Sequence, residues 1–390
     1  ASGLFEDAVN LINRYGQHNP VVSIDIPSGI PSDSAELIGP AVRAHLTVTF
    51  TAPKVGNVLP PASDYSGRLV VGHIGSPVEL IDSSGSRLTL IEGDMIAGWL
   101  RASRRSSYAN KGDAGKVLVV AGSRGKTGAA CLTGEGAMRA GAGLVTVATP
   151  QSAQAVVASR IMAECMTEPL AETDAGFIAR EALDRVMELA SERDVVAIGP
   201  GLGAADESTR TFVRAMAINR ERPVVIDADG LNSLSPWAEN VRGTRDLPLV
   251  LTPHPGEMAR MCGKPVADVV RNRVEVAREF ATAHQAILVL KGSRTLIAEP
   301  GGEVYVNPTG NSGMATGGTG DVLTGVIAAL IAQKPDDPLG ATMAAVYLHG
   351  LAGDIAASKL GTRAMVASDI SAHLGDAFIE AGGDGERLIR

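Results

Sequence analysis

The sequence predicts an α/β protein whose main sheet is parallel and covered by helices. Two observations carry that reading. From Gly115 onward, apolar runs of strand length (KVLVVAG, GLVTVATP, DVVAIGPG, PVVIDADG, LVLTPHPG, AILVLKG) alternate with helical stretches at 127–140, 176–191, 206–219 and 266–284. The runs are continuously apolar, the pattern of strands buried on both faces of a parallel sheet. The second observation is composition: Gly numbers 45, Ala is abundant and aromatics are only 3%. That favours closely apposed helices and sites lined by backbone.

The remaining elements follow in order. TLIAEP and EVYVNP, joined by Gly-Gly, predict an antiparallel hairpin at one side of the sheet. Three helices close the chain at 319–332, 338–358 and 368–380. The stretch 266–284 mixes charged and apolar positions at helical spacing, as a surface helix does. Before the alternation, residues 1–90 hold an amphipathic opening (LFEDAVNLINRYG) and three short β-rich runs within VVSIDIPSGI, HLTVTFTAPK and RLVVGHIG. Three strands and one helix make a thin core, so this block reads as part of a larger, Rossmann-like α/β domain. The chain begins with Ala and enters its first helix at once, which predicts that its start has been lost or trimmed. The expected boundaries are 1–81 for this block, 82–109 for a Ser-, Arg- and Gly-rich linker, and 110–390 for the main domain.

Charge and cysteine content narrow the function. The net charge is −8, with five basic and eight acidic residues in the first 90 and an acidic excess in the remainder. Neither part has the basic excess of a nucleic-acid or membrane-surface binder, and the few aromatics offer no stacking platform for single strands. The cluster Arg101, Arg104, Arg105 and Lys111 reads as a solvated linker. Cys131, Cys165 and Cys262 are widely spaced and odd in number, which predicts no disulfide framework and a cytoplasmic home. No apolar run is long enough to span a bilayer as a helix. A homo-oligomer acting on a small molecule is expected.

In an open parallel sheet, ligands bind beyond the carboxyl ends of the strands. The groups standing there are Gly122-Ser123, Gly199-Pro200-Gly201, Asp227-Ala228-Asp229-Gly230, Thr252-Pro253-His254-Pro255 and Lys291-Gly292-Ser293. The loop NPTGNSGMATGGTGD (307–321) must approach the same edge and runs straight into an apolar helix. A glycine loop at a helix start presents free N–H groups and the positive end of the dipole to a phosphate. Asp321 at that point is either an N-cap or a general base beside the phosphate. SRGKTG (123–128) is not a P-loop, because Val120 stands where that pattern needs Gly, and GPGLG (199–203) lacks dinucleotide spacing. His254, framed by two prolines, is a candidate substrate contact, with no second His at metal spacing. Lys291 is a candidate phosphate partner. Asp227 and Asp229 could position Mg²⁺ or a substrate hydroxyl, or cap the next helix.

NKGDAGKVLVVAGSRGKTGAACL (110–132), AMRAGAGLVTVATP (137–150), AIGPGLG (197–203), VVIDADGLN (224–232), LTPHPGEMARM (251–261), VLKGSRTLI (289–297), the 307–330 segment and VYLHGLAGD (346–354) together resemble the ADP-dependent NAD(P)H-hydrate dehydratases. The resemblance implies a ribokinase-like three-layer sandwich over 110–390. It implies dehydration of (6S)-NAD(P)HX by phosphorylation of the ring hydroxyl, with ADP or ATP as donor and Mg²⁺ present. On the same basis Asp321 is the base, and Lys291, Gly292, Ser293, Arg294 and Thr295 with Gly317, Gly318, Thr319 and Gly320 hold nucleotide. Ala129 or Ala130, Gly201, His254 and Asp321 would meet the hydrate. The opening block is similar to the second half of the companion NAD(P)H-hydrate epimerase, which would give Asp25 a substrate contact and Ser28 a place in a K⁺ site. That family's asparagine-glycine-aspartate loop and further K⁺ ligands are missing here, which counts against epimerase activity from this chain alone. The alternatives are a vitamin or sugar kinase of the same fold, or an inactive nucleotide-binding subunit.

Overall fold

A computed structural model describes residues 3–77, 79, 81 and 85–382 of the chain. They fall into two compact units, 1–87 and 88–390. In the smaller unit, strands β1 (Val22–Ile24), β2 (Leu46–Phe50) and β3 (Arg68–Gly72) form a parallel sheet in that order. The helix Leu4–Tyr15 buries only Val9, and one small core cluster joins Ile30, Ala41 and Ala62 with a few half-buried neighbours.

The larger unit is built on ten strands: β4 (Leu88–Leu90), β5 (Lys116–Val120), β6 (Leu144–Pro150), β7 (Met166–Leu170), β8 (Val195–Ile198), β9 (Val224–Ile226), β10 (Leu249–Leu251), β11 (Ile287–Leu290), β12 (Leu296–Ala298) and β13 (Val304–Val306). Their order is β4-β13-β12-β11-β10-β9-β8-β5-β6-β7. Strands β5 to β11 pair with one another only in parallel, while β12 pairs antiparallel with both β11 and β13. From β5 the chain winds one way through β6 and β7, then returns to the other side of β5 for β8 and winds outward to β11. The switch point lies between β5 and β8, where a crevice opens beyond the strand ends.

Four expectations need correction. The interval 82–109 is not wholly a linker: β4 adds to the hairpin edge through β13, and the helix Gly93–Ala102 buries Ile96 and Leu100; residues 82–84 lie outside those described. Of the basic cluster, Arg101 belongs to that helix and Arg105 donates to the Gly141 carbonyl. The stretch 266–284 is two helices, Val266–Arg271 and Arg273–His284, because Asn272 leaves helical geometry between them. The stretch from 176 starts outside a helix, with Ile178 bridged to Glu172, then a 3₁₀ turn at Arg180–Ala182, and the helix proper is Leu183–Ser191. The sequence reading also passed over β7, whose Pro169 argues against a strand. As the last strand of the sheet it has a free edge, where Pro is tolerated.

The helix Thr319–Gln333 buries every residue from Val322 to Ala332, and it crosses Thr127–Arg139 at backbone distance. A Cβ on Gly325 would lie 2.0 Å from the Thr133 carbonyl oxygen, and one on Gly136 would lie 2.5 Å from that of Val322. These two glycines set how deeply the Asp321 helix sits. Among the described residues no helix is long and apolar enough to cross a membrane. Gly325→Ala should therefore destabilise the larger unit by about 1–3 kcal/mol, the usual cost of overpacking, despite Ala's better helix propensity. Urea unfolding with an unchanged or raised midpoint would contradict this close crossing.

Candidate active site at the strand ends

Parallel winding brings the polar ends of β5, β8, β9, β10 and β11 to one edge. At the switch point, Gly122 N donates to the Pro200 carbonyl (2.8 Å) and Ser123 Oγ to the Gly201 carbonyl (2.7 Å). Gly201 lies against Ala129, since a Cβ on Gly201 would be 3.0 Å from that of Ala129. Ala130 is turned into the core and fully buried, so of the two alanines only Ala129 lines the crevice. Asp229 begins the short helix Asp229–Ser233 and is held by Gly203 N (2.8 Å) and Lys126 Nζ (3.0 Å).

The centre of the edge is a cluster of charges. Lys291, directly after β11, places Nζ 2.6 Å from Asp227 Oδ1 and 3.9 Å from Glu257 Oε2. The second oxygen of Asp227 accepts from Thr324 Oγ1 (2.8 Å), one turn into the Asp321 helix. Burial works against the Lys291 ammonium, but the attraction of Asp227 and Glu257 overcomes it and holds its pKa above the ordinary value. Glu257 is itself pushed up by burial, with Lys291 opposing.

Asp321 is half-buried in the first turn of Thr319–Gln333. Burial, and then the charge of Asp227, raise its pKa to about 7 against the opposing pull of Lys291. The turn before it is shaped by Gly318 at φ 94°, where a Cβ would meet Leu132 Cδ1 at 2.5 Å. A Cβ on Gly320 would stand 3.2 Å from Lys291 Nζ and 3.5 Å from Asp227 Oδ2. The turn therefore rests directly on the ion cluster, while Gly317 faces open space.

His254 is half-exposed and its Nδ1 accepts from Gly256 N (3.0 Å) and Glu257 N (3.4 Å), capping the helix Pro255–Cys262. Glu257 returns the favour by accepting from His254 N (2.8 Å), a reciprocal cap. With Nδ1 accepting, the imidazole is neutral and carries its proton on Nε2; burial, then Lys291 and Arg260, keep its pKa low. The 291–295 segment is held from below by Arg273, which donates to the carbonyls of Ser293 (2.7 Å) and Arg294 (3.2 Å). Arg294 has φ 55° and Gly292 φ 146°, so this support fixes a backbone that costs energy to form.

Sequence reading missed Glu257, Thr324, Lys126 and Arg273 as parts of the site. Only Glu257 left a local signal, the His-x-x-Glu spacing of a reciprocal cap. Among the described residues no three His, Cys, Asp or Glu side chains converge as a metal cage, and both oxygens of Asp227 are already engaged. The donors therefore do not fit a resident ion. Mg²⁺ arriving on nucleotide phosphates needs no such cage. In the smaller unit, Asp25 pairs with Lys54 and accepts from Thr49 Oγ1 and Phe50 N (both 3.1 Å), while the Ser28 carbonyl accepts from Val42 N (2.9 Å).

Residues 117–375 match the NAD(P)H-hydrate dehydratase family, and residues 2–56 match the YjeF-related protein N-terminus. The chain is 45% identical over 372 residues to the bifunctional NAD(P)H-hydrate repair enzyme of Moorella thermoacetica, covering 95% of this chain and 68% of that one. It is 34% identical over 366 residues to the enzyme of the same name from Escherichia coli, covering 94% and 67%. A crystal structure of the ADP/ATP-dependent NAD(P)H-hydrate dehydratase from Bacillus subtilis, co-crystallised with ATP and Mg²⁺, is 32% identical with a TM-score of 0.62, covering 73% of this chain and 97% of that one. With the family match spanning most of the larger unit and its switch-point crevice, the chain belongs to the NAD(P)H-hydrate dehydratase family.

Proposed function

We propose that the chain dehydrates (6S)-NAD(P)HX to NAD(P)H, using ADP as the phosphoryl donor. The observation that carries this reading is Asp321: a carboxyl poised near neutrality, one turn from open amides at a helix start. Hydroxide leaves poorly, so the ring hydroxyl is first phosphorylated. Asp321 accepts the hydroxyl proton as its oxygen attacks the β-phosphorus, and the bond from phosphorus to AMP breaks. Phosphate then leaves the ring carbon and a neighbouring carbon releases a proton, which restores the double bond. The products are NAD(P)H, AMP, phosphate and protons.

The chain's residues serve these steps by position and charge. The Gly317–Gly320 amides and the positive end of the helix face the transferring phosphoryl group, where negative charge accumulates. Lys291 adds a cation beside that turn. Ala129 and Gly201 supply a flat floor for the altered nicotinamide, and the half-exposed His254 stands at its edge, with Nε2 3.4 Å from Glu257 Oε1. Residues 291–295, propped by Arg273, take the nucleotide, and any Mg²⁺ enters with its phosphates. Asp25 and Ser28 take no part in this reaction.

Regeneration of NADH absorbance from S-NADHX with Mg²⁺ and ADP, ATP or no nucleotide tests the reading. Recovery that depends on ADP is expected; recovery with ATP alone would replace the donor, and none with either would overturn the proposal. Asp321→Asn should retain nucleotide binding and lose roughly 10²–10⁴-fold in turnover, the usual scale for a general base.

Because Asp321 works as a base, kcat/KM should fall as pH drops through about 7, and a flat profile from pH 5 to 8 would exclude it. The same raised pKa has a stability sign. Its contribution is fully present below the ordinary value of 3.8 and is lost as pH rises through about 7. Asp321→Asn should therefore raise Tm at pH 8, with a gain that shrinks towards pH 5. Arg273→Gln should raise the nucleotide KM by roughly tenfold, the effect of losing a charged hydrogen bond, with little change in kcat. A selective loss of kcat would show that Arg273 serves the chemistry instead.

A further inference from the structure

The helix Pro338–Leu360 lies outside the strand-end loops, yet it touches the glycine loop along its length. Thr309 Oγ1 donates to the Tyr347 carbonyl (2.8 Å). Asp354 accepts from Gly310 N and Asn311 Nδ2, both at 2.9 Å. Two glycines on this helix make room for the loop: a Cβ on Gly350 would lie 2.2 Å from Thr309 Oγ1, and one on Gly353 would lie 2.5 Å from Met314 Sδ. The loop is thus bedded on the helix from 309 to 314.

The last contact reaches the phosphate-facing turn itself. His349 Nε2 lies 2.9 Å from the Thr319 carbonyl oxygen. A carbonyl only accepts, so the imidazole donates from Nε2. His349 is buried, and burial lowers its pKa to about 4, which keeps it a neutral donor throughout the working range. Thr319 also ties back into the loop, its hydroxyl reaching the carbonyls of Met314 (3.1 Å) and Thr316 (3.2 Å). It stands two residues before Asp321 and within the Gly317–Gly320 turn.

We propose that His349 is a positioning residue: its Nε2–H bond to Thr319 fixes the turn that carries the phosphate-facing amides and the Asp321 carboxylate. Buried in its helix, it acts through the Thr319 carbonyl. The catalytic part of this inference rests on the dehydration reading; the structural part does not. An anion hole works only if its donors are already aimed where charge develops, so loosening this turn costs rate more than ground-state affinity.

Two polar replacements separate this role from simple packing. The Gln amide extends as far as Nε2, whereas that of Asn stops about one bond short. Full-length His349→Gln and His349→Asn are compared with wild type by amide hydrogen exchange and by NADH regeneration from S-NADHX. Exchange at residues 317–321 should quicken at least tenfold in the Asn variant and stay near wild type in the Gln variant. In turnover, the Asn variant should lose at least tenfold in kcat, with the nucleotide KM within about threefold of wild type, and Gln should recover most of that loss. Equal exchange in the two variants, or a loss confined to KM, would overturn the inference. A wild-type chain that does not regenerate NADH would reject the dehydration reading alone, and the exchange comparison would still decide the role of His349 in the turn.

Discussion

One ammonium group, Lys291 Nζ, stands among the charges of Asp227, Glu257 and Asp321, and the site is organised by that imbalance. A single cation cannot neutralise three carboxylates, so burial raises the two that lack its direct contact, Glu257 and Asp321. Asp227 takes the direct ion pair and a hydrogen bond from Thr324. Glu257 keeps a distance of 3.9 Å from the ammonium and binds the His254 backbone. Asp321 is left with the weakest compensation and is raised to about 7. Its carboxyl is thereby set first by burial and then by its charged neighbours.

The scaffold makes this charge arrangement possible. Lys291 and Asp227 come from the ends of β11 and β9, and Glu257 from the first turn of the helix after β10; the three strands are neighbours in the sheet. The buried helix then delivers Asp321 and Thr324 onto them at a depth set by Gly136 and Gly325. Small residues at the crossing and charges at the helix start serve one purpose: they let a polar cluster form at the boundary of a core that is otherwise apolar.

Much of this was legible in the sequence, for a physical reason. Strands buried on both faces must be continuously apolar, so β5, β6 and β8 to β11 announce themselves, and the residues following them must share an edge. Asp321 stood out as an acid after five glycines at a helix start, where the loop alone left an N-cap and a general base equally open. Pairing was not legible. Nothing local in DADG separates the roles of Asp227 and Asp229, which are decided by Lys291 and Lys126 from distant loops. His254 read as a candidate substrate contact or a structural histidine, and its Nδ1 caps a helix. The strands β4 and β7 escaped because edge strands are not buried on both faces and tolerate Pro, so their sequences need no continuous apolar run. His349 lay within an apolar helix, and only the fold shows what it meets.

The hairpin of β12 and β13 has a consequence of parity. Two reversals of direction return the chain to the edge it left, so the segment 291–295 and the loop beginning at Asn307 stand side by side, joined by Asn307 N to the Thr295 carbonyl (2.9 Å). The Glu299–Gly302 turn, at the opposite end, is insulated from both by a full strand length on each side. It is the natural splice point of the molecule: sequence can be inserted there without changing the spacing of the two loops. The same number of residues added at Gly292 would pull them out of step.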